Sequence, residues 1–304
     1  MTKLTKAQKS RKRKKSEDQC SPSPCSSAKS SKTAQVTTAS SNGSEPFPDF
    51  PRPTPDECRT VRDDLLAVHG FPKEFIKYRK QRSLNHDNDI GDEDDDVSGT
   101  ESCKRSVLDG LISTILSQNT TEANSQRAFA SLKSSFPTWE SVLAADAKLV
   151  EDAIRCGGLA PTKTSCIKGI LSSLFQKKGN LCLEYLRELS IEEIKRELSC
   201  FRGIGPKTVA CVLMFHLQQD DFPVDTHIFQ IAKTLRWVPA AADVKKTYLH
   251  LNRRIPDELK FDLNCLIYTH GKVCRECSGK GSDKPKKEHC DKLCPLLRQS
   301  SNAI

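Results

Sequence analysis

The chain has 304 residues, of which 36% are hydrophobic, and its mean hydropathy is −0.54. This length can hold two modest domains, but the composition indicates that part of the chain does not join a packed core. The formal net charge of +9 favours a polyanionic partner. No apolar run approaches transmembrane length and none follows the N-terminus, so we expect neither a membrane protein nor a secreted one.

Positive and negative charges are concentrated in separate segments. Residues 1–15 contain eight Lys or Arg and no acid, whereas residues 83–102 contain eight Asp or Glu and neither Lys nor Arg. The two segments cancel, so the rest of the chain is basic by itself. Residues 1–55, rich in Ser, Lys, Thr and Pro, predict a flexible, disordered tail. Its basic run at 11–15 predicts import into the nucleus, with a solvated tail or organelle targeting as alternatives.

The apolar periodicity predicts an all-α protein. Residues 58–80 are predicted to be helical, with Phe71 and Pro72 interrupting them, and the acidic run 92–96 is expected in a flexible loop from Leu84 to Thr100. From residue 106 to about 273 apolar side chains recur at i, i+3 and i+4 spacings, with short glycine or proline breaks. No alternating pattern of useful length predicts a strand.

A glycine turn joins two of these predicted helices. Residues 191–201 and 206–217 are predicted to be helical, and residues 202–205 to form a tight turn. Gly203 and Gly205 would let the backbone turn sharply and approach a ligand. The amides at the start of the second helix would then suit a DNA phosphate. The alternative is an ordinary corner between two helices.

Lys207 and Asp225 form the candidate catalytic pair. Lys207 lies in the first turn of the second predicted helix, where its charge opposes the helix dipole, so helix stabilisation explains it poorly. The positive helix end and partial burial would make its amine easier to deprotonate and more nucleophilic. Asp225 follows a proline step at Pro223 that can redirect the chain toward Lys207.

Three motifs occur in a fixed order along the chain. They are Leu-Ser-Gln-Asn-Thr at 116–120, Gly-Ile-Gly-Pro-Lys-Thr at 203–208 and Val-Asp-Thr-His-Ile-Phe at 224–229. In order, separation and helical context they resemble the endonuclease III-like, helix-hairpin-helix base-excision DNA glycosylases, over roughly residues 56–300. The resemblance implies two helical domains with a DNA-binding cleft: a six-helix module at 105–219, and a second domain that combines the helix and acidic loop of 56–104 with the C-terminal helices of 220–304.

The resemblance also implies roles for individual residues. Lys207 would attack the deoxyribose C1′ of a flipped nucleotide and form a Schiff base that permits strand cleavage, and Asp225 would stabilise the sugar and handle the proton. Gln118 would fill the gap left by the flipped nucleotide, and Leu159 would wedge the duplex. A surface amide and a core leucine are the alternatives for these two residues.

The expected function is therefore that of a DNA glycosylase with abasic-site lyase activity. Its expected partner is double-stranded DNA that contains a damaged or modified base, bound by a monomer. The sequence does not identify the base. A non-catalytic helix-hairpin-helix DNA-binding protein and a monofunctional glycosylase are the alternatives.

A cysteine cluster lies near the C-terminus, with the spacing Cys274-X2-Cys277-X12-Cys290-X3-Cys294. Four thiolates this close can hold a [4Fe–4S] cluster or a tetrahedral zinc ion. The preceding residues 269–272 resemble the start of the family's iron–sulfur loop, but the family spacing Cys-X6-Cys-X2-Cys-X5-Cys differs at every interval. Iron–sulfur, zinc and no metal therefore stay open. The loop between the inner cysteines is predicted to contact the DNA backbone through Lys284, Lys286 and Lys287, with a solvated lysine loop as the alternative.

Overall fold

The structure is a computed structural model that describes residues 45–87, 106–278 and 294–297. Within these ranges the chain forms α-helices, turns and short 3-10 helices and contains no strand, which confirms the predicted all-α class. The α-helices are α1 (Pro55–His69), α2 (Ile76–Asp87), α3 (Val107–Leu116), α4 (Glu122–Ser135), α5 (Trp139–Ala144), α6 (Ala147–Ile154), α7 (Ala160–Lys178), α8 (Ile191–Ser199), α9 (Pro206–His216), α10 (Thr226–Thr234), α11 (Val244–Arg254), α12 (Asp257–Val273) and α13 (Arg275–Ser278).

Helices α3 to α9 enclose the first hydrophobic cluster. The i, i+3, i+4 residues of α3 that the periodicity selected are buried in it, among them Leu111 and Ile115. Gly110 allows α3 to pack closely on α9, because a Cβ atom there would lie 2.4 Å from the His216 ring. Removal of these apolar side chains from water is the main force that holds the helices together.

Helices α1 and α10 to α13 form the second hydrophobic cluster. Val61 and Leu65 of α1 are fully buried in it, together with Trp237 from the turn after α10. Helix α1 packs along α12, although nearly 200 residues separate them in sequence. The cluster therefore joins the two ends of the described chain.

The described part of the chain begins at residue 45, before the predicted tail boundary at residue 55. Phe47 packs against the second cluster, and Arg254 donates a hydrogen bond of 2.6 Å to the Phe50 carbonyl. The Thr54 side chain and Glu57 then form a capping box that starts α1 at Pro55. The disorder expected for residues 45–55 is therefore wrong, because aromatic contacts that composition does not reveal hold them. The rest of the expected tail lies outside the described residues.

Two further elements differ from expectation. Helix α2 continues to Asp87, past the expected loop start at Leu84, and the acidic run 92–96 lies outside the described residues. Between Val107 and His216 the chain forms seven α-helices, of which α5 is short, whereas the resemblance implied a six-helix module for residues 105–219. The Lys168 ammonium holds the end of α5 by donating hydrogen bonds to the carbonyls of Val142, Leu143 and Ala145.

Among the described helices, none combines the length and apolar character that a membrane crossing requires.

Candidate functional site

The predicted hairpin consists of α8, a turn and α9. Ser190 and Glu193 cap the start of α8, and Pro206 occupies the first position of α9. Gly203 has a φ of +90°, and a Cβ atom there would lie 2.8 Å from the Cys166 sulfur, so this position requires glycine.

Gly205 contributes to the hairpin differently. Its φ of −96° is open to any residue, and a Cβ atom there would meet nothing within 4 Å. Of the glycine pair, Gly203 thus provides the sharp turn, and Gly205 leaves space in front of α9. No side chain caps α9, so amides of its first turn lack side-chain partners and can bind a ligand.

The two candidate catalytic side chains face each other. Lys207 Nζ lies 4.0 Å from Asp225 Oδ2. The other oxygen of Asp225 accepts a 2.9 Å hydrogen bond from the Ile228 amide, as the N-cap of α10, so the carboxylate has a fixed orientation. The Asp225 side chain is only 10% exposed, but that of Lys207 is 60% exposed. The partial burial expected for Lys207 is therefore wrong, and its amine is open to an incoming ligand.

Lys207 and Asp225 line a cavity of about 700 Å³. Residues of α2, α3, α4, α9, α10 and α12 contribute to its walls, so side chains near both hydrophobic clusters meet there. Burial raises the pKa of Tyr268 to about 12, so its hydroxyl stays protonated and can donate. The aromatic part of the wall consists of Phe75, Tyr78, Phe129, Phe215 and Tyr268. A cavity of this size and lining suits a planar heterocycle.

Gln118 lies in the turn that follows α3, and Leu159 lies in the turn that precedes α7. Gln118 Nε2 donates a 3.1 Å hydrogen bond to the hydroxyl of Thr208, the residue that follows Lys207 in α9. Leu159 is 53% exposed and has a φ of 53°, a left-handed conformation that is unfavourable for leucine. The alternative of a core leucine is therefore wrong, since Leu159 projects from the surface in a strained turn.

Lys163 is a site residue that the sequence analysis missed. Its side chain is 3% exposed, and Nζ donates hydrogen bonds to the carbonyls of Leu116 at 2.7 Å and Gly157 at 2.9 Å. Burial lowers the pKa of its amine. One buried lysine thus ties the turn that carries Gln118 to the turn that carries Leu159. The available signal was a lysine at the helical spacing of the buried face of α7, between Ala160 and Ile167.

Three of the four cysteines in the C-terminal cluster come together. Cys274, Cys277 and Cys294 are buried, and the sulfur atoms of Cys277 and Cys294 are 3.6 Å apart. Cys290 and the predicted DNA contacts Lys284, Lys286 and Lys287 lie outside the described residues.

His270 of α12 joins the three cysteines, and the sequence analysis did not select it as a ligand. Its ligand nitrogen and the three sulfur atoms lie within 4.8 Å of one another. His270 Nε2 is 3.4 Å from the Cys294 sulfur, and Nδ1 is 2.9 Å from His69 Nε2 at the end of α1. The spacing of His270 four residues before Cys274, one helical turn, was the signal that could have found it.

Comparison with known proteins identifies relatives over most of the chain. The model of the HhH-GPD superfamily of base excision DNA repair proteins matches residues 112–257. A provisionally assigned DNA glycosylase of Arabidopsis thaliana is 59% identical over 263 residues, which cover 84% of this chain and 89% of that protein. The endonuclease III of Sulfolobus acidocaldarius is 29% identical over 191 residues, or 62% of this chain and 79% of that enzyme.

A plant enzyme and a solved structure extend this comparison. The DNA glycosylase/AP lyase ROS1 of Arabidopsis thaliana is 36% identical over 118 residues, which are 39% of this chain and only 8% of that protein. A non-covalent endonuclease III–DNA complex matches 76% of this chain and 97% of its own with a TM-score of 0.51 at 22% identity, which establishes a common fold.

The fold is thus that of an all-α DNA glycosylase of the endonuclease III type. The chain belongs to the HhH-GPD superfamily of base excision DNA repair proteins.

Proposed function

We propose that the protein is a bifunctional DNA glycosylase and abasic-site lyase that removes a damaged or modified base from double-stranded DNA. The observation that carries this proposal is the Lys207 amine facing the Asp225 carboxylate in the wall of a cavity of about 700 Å³. An exposed amine, a fixed carboxylate and space for a heterocycle are what attack at a flipped nucleotide requires.

The fold suggests how DNA binds. We take the two hydrophobic clusters as the cores of two domains, with the duplex in the cleft between them. The uncapped amides of α9 behind Gly205 would hold a phosphate, and the open space in front of them lets the backbone approach. Gln118 and Leu159 would enter the duplex where the nucleotide leaves it. Lys284, Lys286 and Lys287 would add electrostatic contacts to the backbone.

The chemistry follows from the lysine and the carboxylate. Asp225 accepts a proton from the Lys207 ammonium, and the free amine attacks C1′ of the flipped nucleotide. The C1′–N bond breaks and the base leaves with the electron pair and takes up a proton. The C1′–O4′ bond of the sugar then breaks as one proton moves from the nitrogen to O4′, which gives a protonated Schiff base. The Schiff base acidifies the C2′ hydrogen, and loss of that proton expels the 3′ phosphate by β-elimination. No step uses the cysteine cluster.

The separation of 4.0 Å between Lys207 Nζ and Asp225 Oδ2 is longer than a strong hydrogen bond. Catalytic contacts of this kind commonly tighten when substrate binds. Because the Ile228 amide fixes Asp225 and the long Lys207 side chain is exposed, we expect the lysine to move.

Borohydride trapping tests the proposal whichever base the protein removes. An abasic-site duplex is incubated with the full chain and borohydride, which reduces a Schiff base to a stable covalent adduct. We expect an adduct with the wild type and none with Lys207→Gln. Lys272→Gln is the matched control, because Lys272 also lines the cavity and is exposed but has no part in the proposed chemistry.

Two outcomes would contradict the proposal. Equal adduct from wild type and Lys207→Gln would assign the nucleophile to another amine. No adduct from wild type, together with DNA binding, would favour a non-catalytic protein, or a monofunctional glycosylase if a panel of damaged duplexes shows base release. The panel includes oxidised pyrimidine, methylated cytosine and mismatched adenine.

We further propose that the protein acts in the nucleus, supported by the basic run at 11–15. A fluorescent fusion of the full chain, compared with one in which residues 11–15 are neutral, measures this.

A further inference from the structure

The C-terminal cluster combines three thiols and one imidazole in a closed, buried group. His270 lies in the last turn of α12, and Cys274 is the C-cap of that helix. Cys277 lies in α13, and Cys294 is the first residue of the last described segment, 294–297. All four side chains are buried. Each side chain offers one soft or borderline donor atom, which is the donor set of structural zinc sites.

The distances between the donor atoms decide what the group can hold. In a tetrahedral zinc site a Zn–S bond of about 2.3 Å puts neighbouring donor atoms about 3.8 Å apart. The observed separations are 3.6 Å between Cys277 and Cys294 and 3.4 Å between Cys294 and His270, with all four donor atoms within 4.8 Å of one another. One ion therefore fits among them.

A [4Fe–4S] cluster does not fit the same group. Each of its thiolates binds a different iron, so four irons and four sulfides must lie between the ligand atoms. Donor atoms that lie within 4.8 Å of one another leave no such space. The four side chains are thus too close together for the iron–sulfur cluster of the resembled family. The spacing of the cysteines in the sequence also differs from that family's spacing.

The orientation of His270 favours a ligand role for Nε2. That nitrogen faces the Cys294 sulfur, and Nδ1 faces His69 at 2.9 Å. Histidine ligands commonly donate their second ring N–H to a partner, which fixes the tautomer and the ring orientation. An Nδ1–H of His270 that donates to His69 Nε2 leaves the Nε2 lone pair directed at the three thiols.

We propose that His270 Nε2 and the thiolates of Cys274, Cys277 and Cys294 hold a single tetrahedral zinc ion, with His69 as the positioning residue for His270. Four protein ligands leave no open position, so the ion is structural. Because His69 ends α1 and the ligands belong to α12 and the segments after it, the ion fastens the first helix to the C-terminal segment. This proposal stands independently of the lyase chemistry.

Metal analysis of the purified full chain tests the proposal. Cells are supplied with both iron and zinc, and we expect one zinc per chain, no iron or labile sulfide and no absorption band near 400 nm. Replacement by Co²⁺ should give thiolate charge-transfer and tetrahedral ligand-field bands. Iron with sulfide and the 400 nm band, or a folded wild type without stoichiometric metal, would overturn the proposal.

Variants identify the ligands through the rate of zinc release to a chromogenic chelator. We expect Cys277→Ala to lose the ion, whereas Cys58→Ala should keep it. Cys58 is the matched control, because it is a fully buried thiol of the same hydrophobic cluster. For His69→Ala we expect zinc affinity to fall roughly 10- to 100-fold. Unchanged affinity in that variant would refute the positioning role.

The fourth ligand is decided by His270 and Cys290. We expect His270→Ala to release zinc rapidly and Cys290→Ser to keep it with wild-type kinetics. The opposite pattern, or loss in both variants, would overturn the assignment of the ligands. If His270→Ala does not fold, His270→Cys provides a second measurement. It should keep one ion, and its Co²⁺ form should show a stronger thiolate charge-transfer band because a fourth thiolate is bound; an unchanged band would contradict the proposal.

Discussion

Lys163 offers a test of how the two turns proposed to probe DNA, those that carry Gln118 and Leu159, are positioned. Its ammonium donates hydrogen bonds of 2.7 and 2.9 Å to the carbonyls of Leu116 and Gly157. The substitution Lys163→Met keeps an unbranched side chain that is one atom shorter and removes both hydrogen bonds. The turns that carry Gln118 and Leu159 then lose the side chain that joins them.

The expected stability loss follows from these contacts. Hydrogen bonds to a charged group contribute about 1.5–3 kcal/mol each. Burial of the ammonium opposes this gain, as the lowered pKa of Lys163 indicates. We therefore expect Lys163→Met to lower the free energy of unfolding by about 2–4 kcal/mol, because two buried carbonyls lose their partner. Urea unfolding followed by circular dichroism measures this difference.

Lys168→Met is the matched control on the same helix. Lys168 also donates to backbone carbonyls, at 3.1, 2.8 and 2.6 Å, but these belong to the end of α5 and not to the proposed DNA-probing turns. We expect a comparable loss of stability in both variants. In single-turnover trapping on an abasic-site duplex, Lys163→Met should be slower by roughly 10- to 100-fold, because displacement of positioning groups is costly, and Lys168→Met should match the wild type.

The comparison has two refuting results. If both variants are slowed equally at a temperature where both are folded, the effect reflects stability and not positioning. If Lys163→Met is destabilised but reacts at the wild-type rate, the link between the two turns has no role in the reaction.

Four further predictions concern individual residues, and the third of them compares two glycines. Asp225→Asn should change the free energy of unfolding by less than about 0.5 kcal/mol, because asparagine caps α10 equally well. The same substitution should lower the rate of single-turnover base release or adduct formation by about 10²-fold or more, since the proton acceptor is lost. Leu159→Gly should leave stability equal or raise it by about 1 kcal/mol, because the left-handed conformation strains leucine, while slowing the reaction on fully paired duplexes. Gly203→Ala should destabilise the chain by about 1–3 kcal/mol, and Gly205→Ala should instead retain stability and weaken DNA binding in a fluorescence anisotropy titration. Burial raises the pKa of Cys211 from 9.0 to about 12, so between these values the unfolded thiol loses a proton that the folded one keeps. Stability should then fall by up to about 1.4 kcal/mol per pH unit for this group, and urea unfolding of Cys211→Ala between pH 8.5 and 10.5 should show a correspondingly flatter dependence.

Each of these predictions has a contradicting result. Loss of both folding and turnover in Asp225→Asn would make that residue structural, and full turnover would remove it from the chemistry. An unstable Leu159→Gly would mean that the leucine contributes packing. Equal destabilisation by alanine at Gly203 and Gly205 would contradict the different roles assigned to them. Identical alkaline dependence in wild type and Cys211→Ala would show that this thiol is not protected.

Much of the fold and part of the site could be predicted because they depend on local patterns. The all-α class follows from apolar residues at helical spacing, and α8 and α9 begin where Ser190 and Pro206 indicate, since caps and fixed proline geometry act within a few residues. The order of the three motifs was also sufficient to indicate the superfamily. The pairing of Lys207 with Asp225 was expected from these motifs, but its distance and the exposure of the lysine were not.

The sequence by itself determined the helical periods, the glycine hairpin and the cluster of thiols, because each is set by residue type and short spacing. Only the tertiary structure decided that Lys163 joins two turns, that Phe47 is held by the second hydrophobic cluster, and that His69 and His270 meet. These contacts join residues 6 to about 200 positions apart, and whether they form depends on which helix faces bury together. The physical reason is that a buried polar group needs a hydrogen-bond partner, and the fold decides which residue lies near enough to be that partner. The residues next to it in the sequence do not identify that partner.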